Sequence, residues 1–350
     1  MNDAEGFTAE ASLFRKGEEF QGHIVERLLG RGGLGTVWLV RHQMLDSYFA
    51  LKVLDPKVAE EKPEYVKRFF REAKLAVRIR HPNLVAVHNV GYDPKKNIYY
   101  LIMDYVDGST LRSAITIRGS IPEKEAVKIV LQVTDVLAVA QRFGMVHRDL
   151  KPENIMLTCE GDVKLLDLGV AKTSSRLDSL KTSSTAVFGT PAYIAPEQAQ
   201  SAGQVDSRAD IYSLGIILFE MLCGERPYDG KTPAQILDRL FDPEPIRDVR
   251  DLNGEVSTKL AALIRLMCAK RPEDRLASPQ EVQRAFARMG YEVPTASASV
   301  LNADDTENVV RRGEDVGAEP DAGVSRRRLL WAVLAVLAGL ALLSVWWIGS

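Results

Sequence analysis

The run His147-Arg148-Asp149-Leu150-Lys151-Pro152-Glu153-Asn154 places a carboxylate, an ammonium group and a carboxamide within six residues. The segment is rich in polar groups and follows a helical pattern that ends near Gly144. A carboxylate at Asp149 can orient a hydroxyl and accept its proton, and Lys151 can neutralise charge on a transferring phosphoryl group. The Asn154 amide oxygen can ligate Mg²⁺. Thirteen residues past Asn154, Asp167-Leu168-Gly169 follows the apolar run Val163 to Leu166 and offers a second metal-ligating carboxylate, Asp167. A lone Asp-Leu-Gly is only a turn; its distance from Asn154 gives it meaning.

Two further groupings precede that run. Gly30-Arg31-Gly32-Gly33-Leu34-Gly35 has glycines at its first, third and sixth places, so backbone N–H groups can approach a phosphate with no side chain between. By itself this pattern fits a dinucleotide fold equally well. Here Val37-Trp38-Leu39-Val40 reads as a second strand rather than a helix, which favours a hairpin lying over phosphates. Fifteen residues past Gly35 begins Ala50-Leu51-Lys52, the end of an extended apolar stretch. A lysine on the inner face of a strand is costly unless paired. Glu72, on a helix beginning near Pro63, is an available partner that would hold Lys52 against α- and β-phosphates. In isolation two surface charges would be the simpler reading; the order of the neighbouring motifs decides otherwise.

These residues need elements to position them. Gln21 to Gly30, Thr36 to Arg41, Tyr48 to Leu54, Val85 to Tyr92 and Tyr99 to Tyr105 are rich in apolar, β-branched and aromatic residues between turns, and read as strands. A helix from Pro63 to Ile79 interrupts them, with its proline in the first turn. After Gly108 the pattern is helical: Glu123 to Phe143 has apolar residues at 3–4 spacing, and Ser278-Pro279-Gln280-Glu281 is a capping box opening a final helix. The expected fold class is α+β and bilobal, with a small β-rich lobe carrying one main helix and a larger, mainly helical lobe. No internal repeat is evident.

With 350 residues, 46% hydrophobic and 26% charged, the composition is that of a globular chain, and a net charge of −2 gives no reason to expect a nucleic-acid partner. Cys159, Cys223 and Cys268 match no metal spacing and read as reduced thiols. Residues 1–19 read as a polar leader without the apolar core of a secretory signal. Residues 20–291 form the dense domain, and 292–328 an acidic, small-residue linker that ends in Arg326-Arg327-Arg328. Leu329 to Ile348 is twenty residues without a charge, with Trp331 near one end and Trp346-Trp347 near the other. As a helix it spans roughly 30 Å, the thickness of a bilayer's hydrocarbon core. The preceding arginines place the large domain in the cytoplasm by the positive-inside rule and leave 349–350 as an extracytoplasmic stub. The expectation is a single-pass protein of the cell membrane, with the lipid bilayer as a partner.

Taken in order, and with Ala195-Pro196-Glu197 added, the motifs resemble the eukaryotic-like (Hanks-type) protein kinases over about residues 20 to 290. The loop tip and terminal apolar segment look most like the bacterial membrane-anchored serine/threonine kinases. The resemblance implies transfer of the ATP γ-phosphate to Ser/Thr hydroxyls of protein substrates, with Mg²⁺ or Mn²⁺ as cofactor. It implies catalytic roles for Lys52, Glu72, Asp149 and Lys151, and metal binding by Asn154 and Asp167. Nucleotide contacts would come from Gly30, Arg31, Gly32, Gly33, Leu34, Gly35, Val37 and Ala50, and from Met103, Asp104 and Val106 of a hinge.

Asp210 resembles the structural aspartate of a large central helix, and Arg275 the arginine that pairs with Glu197. Lys151 together with Gly189-Thr190-Pro191-Ala192-Tyr193 is similar to Ser/Thr rather than Tyr kinases, with Thr190 positioning the acceptor. Leu168 stands where many relatives carry phenylalanine and keeps the position apolar. The hydroxyl-rich stretch Lys172 to Val187 resembles an activation loop, with Thr182, Ser184 and Thr185 as phosphorylation candidates and Arg148 as the phosphate's partner. Similar kinases commonly dimerise, which makes a homodimer through the small lobe a candidate assembly. Two rivals are an inactive pseudokinase scaffold and a small-molecule phosphotransferase. The first usually loses Lys52, Asp149 or Asp167, and the second lacks the Ala-Pro-Glu element and the long hydroxyl-rich loop; this chain keeps all of them.

Overall fold

Alternation of apolar and polar residues builds the small lobe as a meander. β1 (Glu19–Phe20), β2 (His23–Gly32), β3 (Gly35–His42) and β4 (Tyr48–Leu54) lead into α1 (Pro56–Glu61), α2 (Pro63–Arg78) and the short β5 (Ile79–Arg80). β6 (Val87–Asp93) and β7 (Ile98–Asp104) complete a six-stranded antiparallel sheet of order β1-β2-β3-β4-β7-β6. The computed structural model describes residues 13–166, 191–200, 205–230, 232–294 and 299–300. Asp167, Leu168, Thr182, Ser184, Thr185, Thr190 and the apolar segment Leu329–Ile348 lie outside these residues, and of Glu72 only the backbone place on α2 is described.

Side-chain alternation sorts β4 between two layers. Leu51 and Val53 join a buried cluster with Trp38, Val40, Tyr100 and Ile102. Leu54 packs with Phe69 and Ala73 of α2, and Ala50 with Val85 and Met103. Lys52 therefore stands on the Ala50–Leu54 face, on the side of α2. The packed region begins before residue 20: Phe14, in the stretch expected to be a leader, is 2% exposed, with its ring centroid 5.0 Å from Phe20 and 5.6 Å from Trp38.

The large lobe follows as β8 (Gly108–Thr110), α3 (Leu111–Arg118), α4 (Glu123–Arg142), β9 (Ile155–Thr158), β10 (Val163–Leu165), α5 (Pro196–Gln200), α6 (Arg208–Cys223), α7 (Pro233–Phe241), α8 (Thr258–Met267) and α9 (Pro279–Arg288). Every residue of α6 from Ala209 to Leu222 is buried, as expected of a helix that is apolar nearly all round and lies at the centre of a domain. Its neighbour α8 lies so close that a Cβ on Gly215 would meet Cys268 Sγ at 2.6 Å and Met267 Cβ at 2.9 Å. At α9 the Ser278 side chain caps the Glu281 N–H, while the Glu281 carboxylate returns to the Ala277 N–H at 2.8 Å, one residue before the N–H that a capping box would serve.

The lobes are tied together behind the cleft. Val85 N donates to Leu165 O at 3.0 Å and Leu165 N to Asn83 O at 2.8 Å, a parallel bridge across the lobe boundary. Asn83 Nδ2 reaches Gln132 Oε1 of α4 at 2.7 Å and Val163 O at 2.9 Å, and His81 Nε2 lies 3.1 Å from Asp135 Oδ2. Past the last helix, β11 (Ser299–Val300) pairs antiparallel with β5, so part of the stretch expected to be linker touches the end of α2. Among the described residues no helix is long and apolar enough to cross a membrane.

Candidate active site

The glycine hairpin is set by strand register. Gly30 pairs with Val37, Arg31 with Thr36 and Gly32 with Gly35, leaving Gly33-Leu34 as a two-residue turn. The glycines have different reasons to be glycine. Gly35 has φ +152°, and a Cβ there would lie 1.9 Å from the Val53 carbonyl oxygen, so the fold itself excludes a side chain. A Cβ on Gly30 meets nothing within 4 Å, and on Gly32 only the Gly35 oxygen at 4.0 Å. Packing within the protein does not require those two.

Beside the hairpin lies an apolar cluster. Ala50, Val85 and Met103 are buried together, with Leu29, Val37, Val106 and Leu166 half-buried against them. Of these, Ala50, Met103, Val37 and Val106 were expected from sequence. Leu29, Val85 and Leu166 were not, although Leu29 precedes Gly30 and Leu166 precedes Asp167, so proximity to a motif was a usable signal. The Asp104 side chain is engaged away from this cluster. Oδ1 lies 2.6 Å from His88 Nε2, a bond that holds the carboxyl below the ordinary range, and Oδ2 accepts the Ala86 N–H at 3.2 Å. Among the described residues no backbone carbonyl accepts the Val106 N–H. Lys52 sits mid-strand between Val37 and Leu101.

Across the cleft, Arg148 adopts φ +63°, a left-handed conformation unusual for a residue with a side chain. Asp210 holds it there: Oδ2 accepts the His147 N–H and Oδ1 the Arg148 N–H, each at 2.8 Å. Burial pushes the Asp210 carboxyl upward, and nearby His147 with the two N–H donors pulls it back. Gln198 Nε2 donates to the Arg148 carbonyl at 3.1 Å and closes the turn from the other side.

The turn aims three side chains at one place. Asn154 Nδ2 donates to the Asp149 carbonyl at 2.9 Å and to Asp149 Oδ2 at 3.2 Å, and Lys151 Nζ lies 3.4 Å from the same Oδ2. With its nitrogen engaged, Asn154 has its amide oxygen to offer a cation. Asp149 is 4% exposed, while Lys151 and Asn154 are half-buried at the mouth. The three expected residues thus meet, in an arrangement able to orient a hydroxyl, take its proton and balance the charge that moves with it.

Two supports complete the site. Arg275 spends all five N–H donors: two on Glu197 at 2.7 and 2.9 Å, and three on the carbonyls of Ala269, Arg208 and Lys270. Arg148 directs its guanidinium toward Val205 O at 3.3 Å. Burial lowers its pKa, Asp210 opposes this, and the positive charge of Arg71 on α2 adds to the lowering. Arg71 was not singled out in the sequence, where it is one of many arginines. Replacing Asp210 by alanine leaves two buried N–H groups unpaired and frees Arg148 from its left-handed turn. The expected loss is about 3 kcal/mol of unfolding free energy in urea titration; unchanged stability would contradict this account of the turn.

Residues 23–287 match the protein kinase domain family. The serine/threonine-protein kinase PknB of Mycobacterium leprae is 34% identical over 305 residues, which cover 86% of this chain and 48% of that protein. The serine/threonine-protein kinase PrkC of Bacillus subtilis is 35% identical over 257 residues, covering 73% of this chain and 39% of its own length. The chain therefore spans about half, or less, of these curated relatives. Among solved structures, the PknI kinase domain of Mycobacterium tuberculosis superposes with a TM-score of 0.63 at 28% identity, covering 79% of this chain and 100% of that one.

Proposed function

The chain belongs to the protein kinase domain family, and on that premise we propose that it transfers the γ-phosphate of ATP to serine and threonine hydroxyls of proteins. The observation that carries this reading is the meeting of Asp149, Lys151 and Asn154 across the cleft from a glycine hairpin. The residues present fit a nucleotide. Gly30 and Gly32 leave open space over the hairpin, the cluster of Ala50, Met103, Val37 and Val106 suits an adenine ring, and the Val106 N–H and Asp104 carbonyl suit its polar edge. Lys52 would steady the phosphates, with Glu72 as its partner.

Asp149 accepts a hydrogen bond from the acceptor hydroxyl and takes its proton as the new O–P bond forms and the β–γ bridge bond breaks. Lys151 balances negative charge at the same carboxylate and on the moving phosphoryl group. Mg²⁺, when held by Asn154 and Asp167, supplies neutralisation of the phosphate oxygens. Thr190 would help receive the acceptor.

Control falls to the segment Lys172 to Val187, in which Thr182, Ser184 and Thr185 are the sites proposed for autophosphorylation. The support is electrostatic: Arg71 is close enough to Arg148 to disfavour the Arg148 charge, and a phosphate between the two guanidinium groups would relieve that repulsion. Leu329–Ile348 is proposed as a membrane anchor with the kinase domain on the cytoplasmic side.

Incubating the purified chain with labelled ATP, Mg²⁺ and myelin basic protein tests the activity. Asp149→Asn should lower incorporation by about 10²–10⁴-fold, and mass spectrometry of both proteins should find loop phosphate on the active one alone; an unchanged rate would remove Asp149 from the mechanism. Gly30→Ala should fold with unaltered melting temperature, because its Cβ meets no protein atom, yet bind ATP more weakly by calorimetry. Equal affinity would mean that the space over the hairpin is not the phosphate site. The full chain should sediment with membranes and resist carbonate extraction, whereas deletion of 329–348 should release it; extraction of the full chain would rule out the anchor.

A further inference from the structure

α2 belongs to the small lobe, yet the residues that end it are held by the large one. Ile79, which closes the helix, is extended (φ −111°, ψ 114°) and 2% exposed. It packs in the hydrophobic core of the large lobe with Leu84 and Leu165. His81 and Asn83, just beyond, are the residues tied to α4 through Asp135 and Gln132. β5 takes no part in the six-stranded sheet. Among the described residues its one strand partner is β11, with Ser299 facing Arg80 and Val300 facing Ile79. A strand edge in this place is a ready acceptor of main-chain hydrogen bonds.

Contacts along α4 deliver the chain that supplies β11. Gln283 of α9 donates Nε2 to Asp135 Oδ1 at 3.2 Å, and the other oxygen of that carboxylate lies 3.1 Å from His81 Nε2. Past the end of α9, the Tyr291 hydroxyl donates to Glu123 Oε1 at 2.5 Å, and Val293 is half-buried against the large-lobe core. From Glu123 to Asp135 along α4 is roughly 18 Å. The chain from Tyr291 to Ser299 reaches about 27 Å at full extension, enough for the return. So short a tether presents β11 to β5 at an effective concentration of order millimolar. Arg78 and Arg80 are exposed at this edge, and Asp304, Asp305 and Glu307 follow β11 in the sequence, so the flanking charges are of opposite sign.

We propose that β5 is a strand-accepting edge whose resident partner is the chain's own segment at Ser299–Val300, and that this docking holds the C-terminal end of α2 in place. The stretch that reads as plain linker in the sequence is then a working part of the domain. A ladder of two residues is weak by itself, and the tether is what makes it effective. The same weakness allows release, and it bounds the shift that docking can impose on α2. α2 carries Arg71 and Glu72. On the kinase reading above, undocking therefore loosens the helix and lowers phosphoryl transfer.

Hydrogen exchange read at single residues, on the full chain in detergent micelles, tests the docking. Wild type is compared with Ser299→Pro/Val300→Pro, which removes both N–H groups of β11, and with Ser299→Thr/Val300→Ile, which keeps them. At least one β5 amide, Ile79 or Arg80, should exchange about tenfold faster in the proline variant, and the last turn of α2 should quicken with it. The threonine–isoleucine variant should match wild type. Transfer to myelin basic protein should fall about threefold in the proline variant. Should that variant fail to fold, Ser299→Gly/Val300→Gly weakens the strand and should shift exchange the same way by less. Equal exchange in wild type and the proline variant, or a threonine–isoleucine variant that behaves like the proline one, overturns the docking and leaves the kinase reading intact. A difference confined to β5, with α2 and transfer unmoved, overturns the hold on α2. No transfer from any variant or from wild type, with the exchange difference present, overturns the kinase reading and leaves the docking standing.

Discussion

The site depends on one carboxylate that never meets a substrate. Asp210 is buried at the start of the central helix and accepts the two successive N–H groups of His147 and Arg148. Without it a non-glycine residue has little reason to remain in a left-handed turn, and the direction in which Asp149 leaves the backbone follows from that turn. Burial makes the carboxylate costly, and the two hydrogen bonds offset much of the cost. The result is a backbone conformation specified by a charge rather than by packing.

The same helix serves as an anchor at two further points. Ser213, three residues on, donates to the Tyr193 carbonyl at 2.7 Å and fixes the segment that follows the hydroxyl-rich loop. Glu220, seven residues further along, holds Arg112 and the Tyr193 hydroxyl. Within its buried span this largely apolar helix therefore uses Asp210, Ser213 and Glu220 to tie down neighbouring segments. Arg275 extends the pattern: its saturated guanidinium joins Glu197 of α5 to the carbonyls at the start of α6 and the end of α8, with its Cζ 4.8 Å from the Tyr212 ring centroid. Both oxygens of Asp210 and of Glu220, and every donor of Arg275, are partnered, which is the condition under which buried polar groups specify a structure instead of weakening it.

Much of this was legible in the sequence, because motifs report chemistry directly. Asp149, Lys151 and Asn154 meet as their spacing suggested, and the five expected strands appear within two residues of their proposed ends. The glycine hairpin continues its ladder through Gly32 and Gly35, where alternation of side chains carries no signal. Phe14 was assigned to a leader because one aromatic in a polar stretch has no periodicity, and only the tertiary partners Phe20 and Trp38 show its place. Leu29, Val85 and Leu166 were passed over for a related reason: an apolar residue beside a site reads like one in a core, and only the neighbouring motifs mark Leu29 and Leu166. Arg112 and Arg71 were missed because a charged residue on a helix reads as solvated surface until the fold brings a partner from a hundred residues away.

The bridge between Leu84 and Leu165 has a mechanical consequence. Two bodies tied together along one side of a cleft move about that side, and displacement grows with distance from it. Val85 and Leu166, at the joint, belong to the apolar cluster beside the hairpin and would shift least as the cleft opens. The Gly33-Leu34 tip, at the far end of the longest hairpin in the small lobe, would sweep the widest arc. Such a jaw is narrow and steady at its pivot and wide at the hairpin end. The short side of the lever stays fixed and the long side carries the freedom to move.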